Sequence, residues 1–287
     1  MISIDFLLSR QNHDGGWPYS AGPSWTEPTV FAMMAAAAAG RQDAVAGGVE
    51  WLRGLQRPDG GWAPQAGVEE STWVTALVAL LPPAQIGLER HQGAVSWLVR
   101  LTGRESSPVY RLRQYLLGFA PEPDQAFHGW PWFPGTAAWV GPTTFGILAL
   151  RQEFRRRPTR SIAERLDLAR RFLLARMCRE GGWNHGSARA LGYDARAYPE
   201  TTGMALLALE GVRAPQIDRA LDAAQRFLNE CRSADGVTWL RFGLTAHGRL
   251  PAGYCPPALP FRTTRDASLA LLADGEAAGR NPFLASL

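Results

Sequence analysis

The segments QNHDGGW at residues 11–17 and QRPDGGW at residues 56–62 share the pattern Gln-x-x-Asp-Gly-Gly-Trp, and this repeated pattern decides the fold. Degraded copies follow further along the chain. They are FHGWPW at Phe127–Trp132, REGGW at Arg179–Trp183 and SADGVTW at Ser233–Trp239. An apolar helical stretch precedes four of the five copies, and a second apolar run follows each of them. A two-helix unit that recurs every ~40–60 residues indicates one architecture copied along the chain.

The two helices of each unit differ in their apolar pattern. In residues 49–55, Trp51 and Leu52 fall on one helix face and Arg53 on another, which is typical of an outer helix with one wet side. Residues 76–81 are apolar nearly all round, which is typical of a buried inner helix. The Gly-Gly pair ends the outer helix, and Pro or Glu with Ser or Thr opens the inner one.

We therefore predict an all-α protein, an α/α toroid of about five helical hairpins with an inner and an outer ring of helices. An open, curved stack of hairpins is the alternative arrangement. Because the repeat runs along nearly the whole chain, residues 1–287 are predicted to form a single domain.

The composition excludes several function classes. All 30 basic residues are Arg, which excludes Lys-dependent chemistry such as a Schiff base or a Walker-type phosphate loop. Neither a signal peptide nor a membrane-spanning stretch is expected, so the predicted location is the cytoplasm. Three cysteines, Cys178, Cys231 and Cys255, are too few for a disulfide framework. Cys255 is interpreted as a nucleophile, a metal ligand or a plain buried thiol.

Arginines crowd the segment from Arg155 to Arg179, which is predicted to be a loop and an outer helix. A solvated face is one interpretation of this basic segment. Peripheral contact with an anionic membrane surface or with a diphosphate is the other. No recognised binding motif accompanies the charge, so no nucleic-acid partner is expected.

The repeats resemble the prenyltransferase and squalene-oxidase repeat, the QW motif of squalene–hopene cyclases, oxidosqualene cyclases and protein prenyltransferase β-subunits. The segments at residues 128–150 and 181–209 look like small stand-alone bacterial members of this group. The resemblance implies an α/α toroid whose centre binds isoprenoid chains. It also implies that the Gln and Trp of the motif tie hairpins together. The residues concerned are Gln11, Trp17, Gln56, Trp62 and Trp183.

The chain departs from this group at each known reaction centre. It has neither the DxDD of class II terpene cyclases nor the DDxxD of class I synthases. The Asp, Cys and His that hold zinc in protein prenyltransferases have no counterpart, since no Cys lies beside Asp194. The sequence therefore predicts no metal and no cofactor, and it leaves open whether the protein is an enzyme.

In a toroid, the starts of the inner helices ring one mouth of the central cavity. Acidic residues are predicted there as helix caps or as ligand-binding groups, and aromatic residues lie near them. The acids are Glu27, Glu70, Glu200 and Asp266, and the aromatic residues are Trp25, Trp73, Trp139, Tyr198 and Phe261. A carboxylic acid desolvated by aromatic rings has a raised pKa and can donate a proton. Aromatic faces also stabilise a carbocation.

Three residues are the candidates for catalysis. Glu200 comes first, because the polar loop that contains Asp194 precedes it. His128 opens a rigid aromatic loop that includes Trp132, and it is interpreted as an acid–base group or as part of a stacked wall. If these three side chains share one concave pocket, the enzyme interpretation is favoured.

The leading functional hypothesis is a terpene-cyclase- or prenyltransferase-like protein. It would bind an isoprenoid or other lipid in a central acidic, aromatic cavity and catalyse cyclisation or isomerisation. The alternative is a non-catalytic scaffold of the same fold that binds a lipid or a protein. The sequence does not determine the substrate or the oligomeric state.

Overall fold

The computed structural model describes residues 3–118, 127–190, 193–276 and 281–284 of the chain. Its α-helices are α1 (Ile4–Leu8), α2 (Thr26–Ala38), α3 (Gln42–Arg53), α4 (Val74–Val78), α5 (Pro83–Ile86), α6 (Leu88–Arg100), α7 (Pro108–Leu116), α8 (Val140–Arg156), α9 (Arg160–Ala175), α10 (Pro199–Ala208), α11 (Pro215–Glu230), α12 (Ala234–Ala246) and α13 (Thr264–Glu276). A 3-10 helix, η1 (Arg104–Ser106), precedes α7. Two short antiparallel pairs join β1 (Trp130–Pro131) to β2 (Ala138–Trp139) and β3 (Arg189–Ala190) to β4 (Tyr193–Asp194). Within this described part of the chain, no helix is long and apolar enough to span a bilayer.

The helices form two layers, as the apolar pattern predicts. In α10 every residue from Thr201 to Ala208 is buried, which is the signature of an inner helix. In α11 the buried residues include Ile217, Ala220 and Leu221, whose spacing defines one face of an outer helix. The apolar stripe of each outer helix therefore packs on the inner helices, and its polar side meets solvent.

The inner helices pack side by side into a closed ring. In the described residues, α2, α4, α8, α10, α12 and α13 follow one another in this ring, and α13 returns to pack against α2. The outer layer is formed by α1, α3, α6, α9 and α11, and each of these helices packs against the inner helices. The prediction of an all-α toroid is confirmed, and the closed ring excludes the open stack.

One inner helix was not predicted. The sequence predicts a degraded copy of the motif at Ser233–Trp239, but Ala234–Ala246 forms the inner helix α12. The run from Val237 to Leu244 is buried throughout, and Trp239 packs in the centre of the ring. The described residues thus contribute six inner and five outer helices, in place of about five matched hairpins.

The motif tryptophans Trp17, Trp62 and Trp183 anchor the outer helices α1, α3 and α9 to the inner helices that follow them. The indole Nε1 of Trp17 donates to Leu7 O (2.9 Å), and the backbone N of Trp17 donates to Thr29 Oγ1 on α2 (2.8 Å). The same pair of bonds recurs at Trp62 and at Trp183, and all three side chains are fully buried. These geometries agree with the structural role implied by the resemblance.

The Gly and Gln of the motif connect one unit to the next. Gln11 Nε2 donates to Gly15 O (2.8 Å) and to Ala44 O on α3 (2.9 Å). Gly15 has a φ of 88°, and a Cβ placed there would lie 2.4 Å from the carbonyl oxygen of Gly47. Because the backbone of α3 approaches so closely, only glycine fits at this position.

Part of the predicted basic face is structural. Arg165 on α9 is buried, and its guanidinium donates to the carbonyl oxygens of His128, Leu101 and Gly129. It also lies 3.4 Å from the ring centroid of Trp130. Burial lowers the pKa of Arg165 to about 9. The interpretation of the whole segment as a solvated face is therefore wrong at this residue.

Candidate functional site

The starts of the inner helices meet at one end of the ring, which we call the mouth. Backbone hydrogen bonds join the start of one inner helix to the loop that precedes a neighbouring inner helix. They run from Thr26 N to Pro64 O (2.8 Å), from Trp73 N to Trp132 O (3.0 Å), from Val140 N to His185 O (2.9 Å) and from Thr264 N to Tyr19 O (2.6 Å). The mouth is therefore a hydrogen-bonded rim that holds adjacent helix starts side by side.

Aromatic side chains occupy the N-cap position of four inner helices. These N-cap residues are Trp25, Trp73, Trp139 and Tyr198. Trp139 and Tyr198 are exposed, whereas Trp25 and Trp73 are half-buried. The rings of Trp73 and Trp132 meet edge to face, with centroids 4.9 Å apart. The mouth thus brings together five of the aromatic residues predicted as ligand contacts. Phe261, also exposed, lies in the loop before α13.

A cluster of acids surrounds one arginine at the seam of the ring. The guanidinium of Arg265 lies 2.6 Å from Glu27 Oε1, 2.9 Å from Asp235 Oδ1 and 3.2 Å from Asp266 Oδ1. These carboxylates stand in the first turns of α2, α12 and α13. The Tyr19 hydroxyl donates to the second oxygen of Glu27. We call these five residues the Arg265 cluster.

Burial and mutual charge set the protonation of the Arg265 cluster. Burial raises the pKa of Asp235, and the nearby charge of Asp266 adds to that effect. Burial alone would lower the pKa of Arg265, but the surrounding carboxylates outweigh it and the pKa is raised. Burial and then the Glu27 charge raise the pKa of Tyr19. The cluster thus holds a cation, a phenol and a carboxyl group, Asp235, and the pKa of each of them is raised.

The sequence predicted Glu27 and Asp266 for this site and missed Arg265, Asp235 and Tyr19. One feature of the sequence pointed to Arg265. Arg265 lies in the first turn of α13, where the helix dipole disfavours a cation, so it needed carboxylate partners from elsewhere. Asp235 was missed because α12 itself was not predicted.

Glu200, the first candidate for catalysis, lies in the first turn of α10 as predicted. Its Oε1 is 3.6 Å from His185 Nε2, and its side chain is 27% exposed. The imidazole of His185 lies beside the Tyr198 ring, with centroids 5.4 Å apart and the ring planes tilted by 41°. Glu200, His185 and Tyr198 therefore form an acid–imidazole–phenol group on the rim.

Asp194 and His128 have different neighbours from Glu200. Asp194 Oδ2 lies 3.3 Å from Arg179 Nη1, with its side chain 45% exposed. His128 is half-buried above Arg165, and burial, followed by the charges of Arg165 and Arg111, lowers the pKa of the imidazole. Asp194 and His128 thus contact arginines, whereas Glu200 contacts His185, and their catalytic roles stay predictions.

Glu70 departs from the prediction for helix starts. It is exposed and lies in the loop ahead of α4, which begins only at Val74. The predicted place of Glu70 at an inner-helix start is therefore wrong. The segment between Glu70 and α4 is extended, because the backbone N–H of Thr72 donates to Trp62 O (3.0 Å) in a β-bridge.

The cysteines differ in environment. Cys178 and Cys231 are buried, and burial raises the pKa of both thiols. Cys255 is exposed, so the interpretation of a plain buried thiol is wrong for this residue.

Aromatic side chains fill the centre of the ring below the mouth. Phe31, Phe145, Trp239 and Phe283 are each at most 2% exposed. The Trp239 ring lies 5.7 Å from Phe145 and 5.7 Å from Phe283, centroid to centroid. The expected central cavity is therefore occupied by the protein's own rings. Phe283 reaches this position from the C-terminal segment Asn281–Leu284.

An apolar pocket of about 400 Å³ lies at the opposite end of the ring from the mouth. Its walls are the last turns of α2 and α13, the residues that follow α4, and the C-terminal segment. The lining includes Met33, Met34, Leu80, Leu81, Leu272 and Pro282. Sequence reasoning missed this pocket, because the apolar inner-helix ends that form it are indistinguishable from core residues.

Solved structures with this fold include enzymes of two chemistries. A GH8 endo-β-1,4-glucanase from an Achatina fulica gut metagenomic library superimposes with a TM-score of 0.62 and 15% identity, covering 96% of this chain and 97% of that chain. A GH76 α-mannanase from Bacteroides thetaiotaomicron gives 0.61 and 10%, covering 96% and 94%. A variant of the type II terpene cyclase MstE from Scytonema, in complex with its substrate geranylgeranyl dihydroxybenzoate, gives 0.56 and 19%, covering 98% and 78%.

The chain matches no established family profile, and no curated protein sequence is detectably similar to it. At these identities the structural likeness establishes the α/α toroid fold alone. The likeness does not single out the prenyltransferase repeat, since glycosidases share the same fold.

Proposed function

We propose that this protein binds an isoprenoid or other lipid-like small molecule in the apolar pocket at the far end of the ring. The observation that carries the proposal is the pocket itself. Its volume of about 400 Å³ falls in the range typical of small-molecule sites, and leucine, methionine and alanine side chains dominate its walls. Transfer of hydrocarbon from water to such walls is favourable by roughly 25 cal/mol per Å² of buried apolar area.

The position of the pocket favours binding over protonation chemistry there. The acids of the Arg265 cluster stand at the helix starts, whereas Leu80, Leu81 and Leu272 line the pocket at the helix ends. The packed rings of Phe145 and Trp239 fill the ring between the two ends. None of the described residues that line the pocket carries a carboxyl group that could protonate a hydrocarbon, so the pocket by itself supports a carrier or sensor of lipids.

A pocket-filling variant tests this proposal. Ala38 lines the pocket at the end of α2 and is exposed, so Ala38→Phe fills space without disturbing the core. Ala163→Phe, at an exposed site on α9, is the matched control. We expect geranylgeraniol to bind the wild type and Ala163→Phe equally, and Ala38→Phe roughly tenfold more weakly. Isothermal titration calorimetry measures this, and equal binding by all three proteins would locate the ligand elsewhere.

The mouth is a second candidate site, and one observation favours it. Burial raises the pKa of Asp235, which stands with Glu27 and Asp266 in a cluster among the aromatic N-caps of the inner helices. We propose that the mouth holds a small molecule against these rings for an acid-catalysed cyclisation, isomerisation or hydrolysis. Glu200 remains the first candidate for the acid, with Asp194 and His128 behind it, and Asp235 joins them.

Product analysis separates the two sites. Incubation with a geranylgeranyl-bearing phenol and with a cello-oligosaccharide, followed by mass spectrometry, tests the two chemistries found on this fold. Conversion that Asp235→Asn or Glu200→Gln abolishes, and that Ala38→Phe leaves intact, would assign an enzyme to the mouth. Binding without conversion supports the lipid-binding proposal alone.

A further inference from the structure

Helix α7 turns its apolar residues towards solvent. Val109, Leu112, Tyr115 and Leu116 are 77%, 59%, 75% and 73% exposed, and Leu117, directly after the helix, is 58% exposed. None of the residues of α7 is buried. Large apolar side chains at this density on one helix are unusual for a protein surface and mark an interaction site.

The inward side of α7 is its less apolar side. Tyr110 and Gln114 are only partly exposed, and the guanidinium of Arg104 in η1 lies 5.5 Å from the centroid of the Tyr110 ring. A surface helix of a globular protein places its apolar stripe on the core and its polar residues outside. In α7 this arrangement is reversed, so packing against the described residues of the chain does not account for the apolar stripe.

Positive charge borders the apolar face of α7. At 3.6 residues per turn, Val109, Leu112 and Leu116 lie on one side of the helix, with Arg113 at one edge and Arg111 beyond Tyr115 at the other. Both arginines are exposed. The sequence of α7, PVYRLRQYL, contains no acidic residue. A helix with an apolar face, basic borders and no acid matches the chemistry of an anionic lipid surface.

We propose that α7, together with Leu117, docks this protein on an anionic phospholipid membrane. The helix lies parallel to the membrane plane, Leu112 and Leu116 enter the acyl boundary, and Arg111 and Arg113 bind lipid phosphates. The inference is independent of the pocket proposed above, because it rests on a different surface. The positive charge of α7 favours a membrane over a second copy of the chain as its partner. Two copies that packed together through α7 would bring their arginines close to one another, and like charges repel.

Vesicle co-sedimentation tests the proposal. The wild type should bind vesicles in which about a third of the lipid is phosphatidylglycerol, and bind phosphatidylcholine vesicles more weakly. The variant L112Q/L116Q should lose binding roughly a hundredfold, because each of the two buried leucines is worth about a factor of ten. The variant R111Q/R113Q should lose the preference for phosphatidylglycerol. Leu88→Gln, at a 57% exposed position on α6, is the matched control and should bind like wild type.

The same residues are exposed in the folded protein, so circular dichroism melts of the variants should match that of the wild type. The proposal is overturned if the wild type binds neither kind of vesicle, or if L112Q/L116Q binds as strongly as the wild type. If sedimentation velocity instead detects a dimer that L112Q/L116Q abolishes, with no vesicle binding, the face pairs two copies and the membrane proposal fails.

Discussion

Arg265 and Glu27 lie 238 positions apart in the sequence, and their side chains meet at 2.6 Å across the seam where α13 packs against α2. The pair links the last inner helix to the first, so it closes the ring. The neighbouring bond from Thr264 N to Tyr19 O (2.6 Å) joins the same two ends through the backbone. Asp235 and Asp266 complete the partners of the guanidinium.

Removing the guanidinium should destabilise the protein strongly. Arg265→Met leaves Glu27, Asp235 and Asp266 together without a cation, and breaking a buried ion network of this kind costs about 3–5 kcal/mol. Urea unfolding at neutral pH measures the loss. Arg160→Met, at a fully exposed arginine paired with Glu164, is the control and should unfold like wild type.

The raised pKa of Asp235 predicts a dependence of stability on pH. Because the folded state binds this proton more tightly than the unfolded chain does, the contribution is full below the unfolded pKa and is lost as pH rises through the folded pKa. Asp235→Asn carries no such proton. Its free energy of unfolding, relative to wild type, should therefore rise as the pH increases above about 4, the unfolded pKa of an aspartate. A difference that does not change with pH would contradict the assignment.

The motif tryptophans should be packing residues. Trp62 is fully buried and donates its indole N–H to Leu52 O (2.8 Å), so Trp62→Ala should lower the free energy of unfolding by about 3–5 kcal/mol. Ligand affinity, measured where the variant stays folded, should match that of the wild type. Trp139→Ala, on the exposed rim, should change stability much less. If Trp139→Ala destabilised the protein strongly and Trp62→Ala lowered only ligand affinity, Trp139 would be the structural residue and Trp62 the functional one.

The variant Glu200→Gln distinguishes a helix-capping role of Glu200 from a role as catalytic acid. As a helix-start charge, Glu200 contributes well under ~1 kcal/mol, so the variant should keep its melting temperature. As the acid of the mouth, the same change should abolish turnover, because an amide fills the volume but delivers no proton. The exposed Glu70→Gln is the control. Full activity in Glu200→Gln would move the search for the acid to Asp235.

The sequence was most informative where structure is local. Helix alternation, the buried inner helix α10 and the anchoring role of Trp17 and Trp62 follow from apolar spacing and from the turn chemistry of the Gly-Gly pair. The apolar spacing did not predict helix α12, because the Asp-Gly pair in its first turn resembles the motif that ends the outer helices elsewhere. Trp239, three residues after that Asp-Gly pair, lies in the centre of the ring.

The sequence by itself determined an all-α ring of repeated helices and the presence of acids and aromatic rings at helix starts, because periodicity and capping act within a few residues of each position. Only the tertiary structure decided which groups meet. Arg265 finds Glu27 across the closed ring, Phe283 and Trp239 fill the predicted cavity, and the apolar pocket forms at the opposite end. These contacts join distant parts of the chain, and their geometry depends on how the ring closes, which no local pattern encodes.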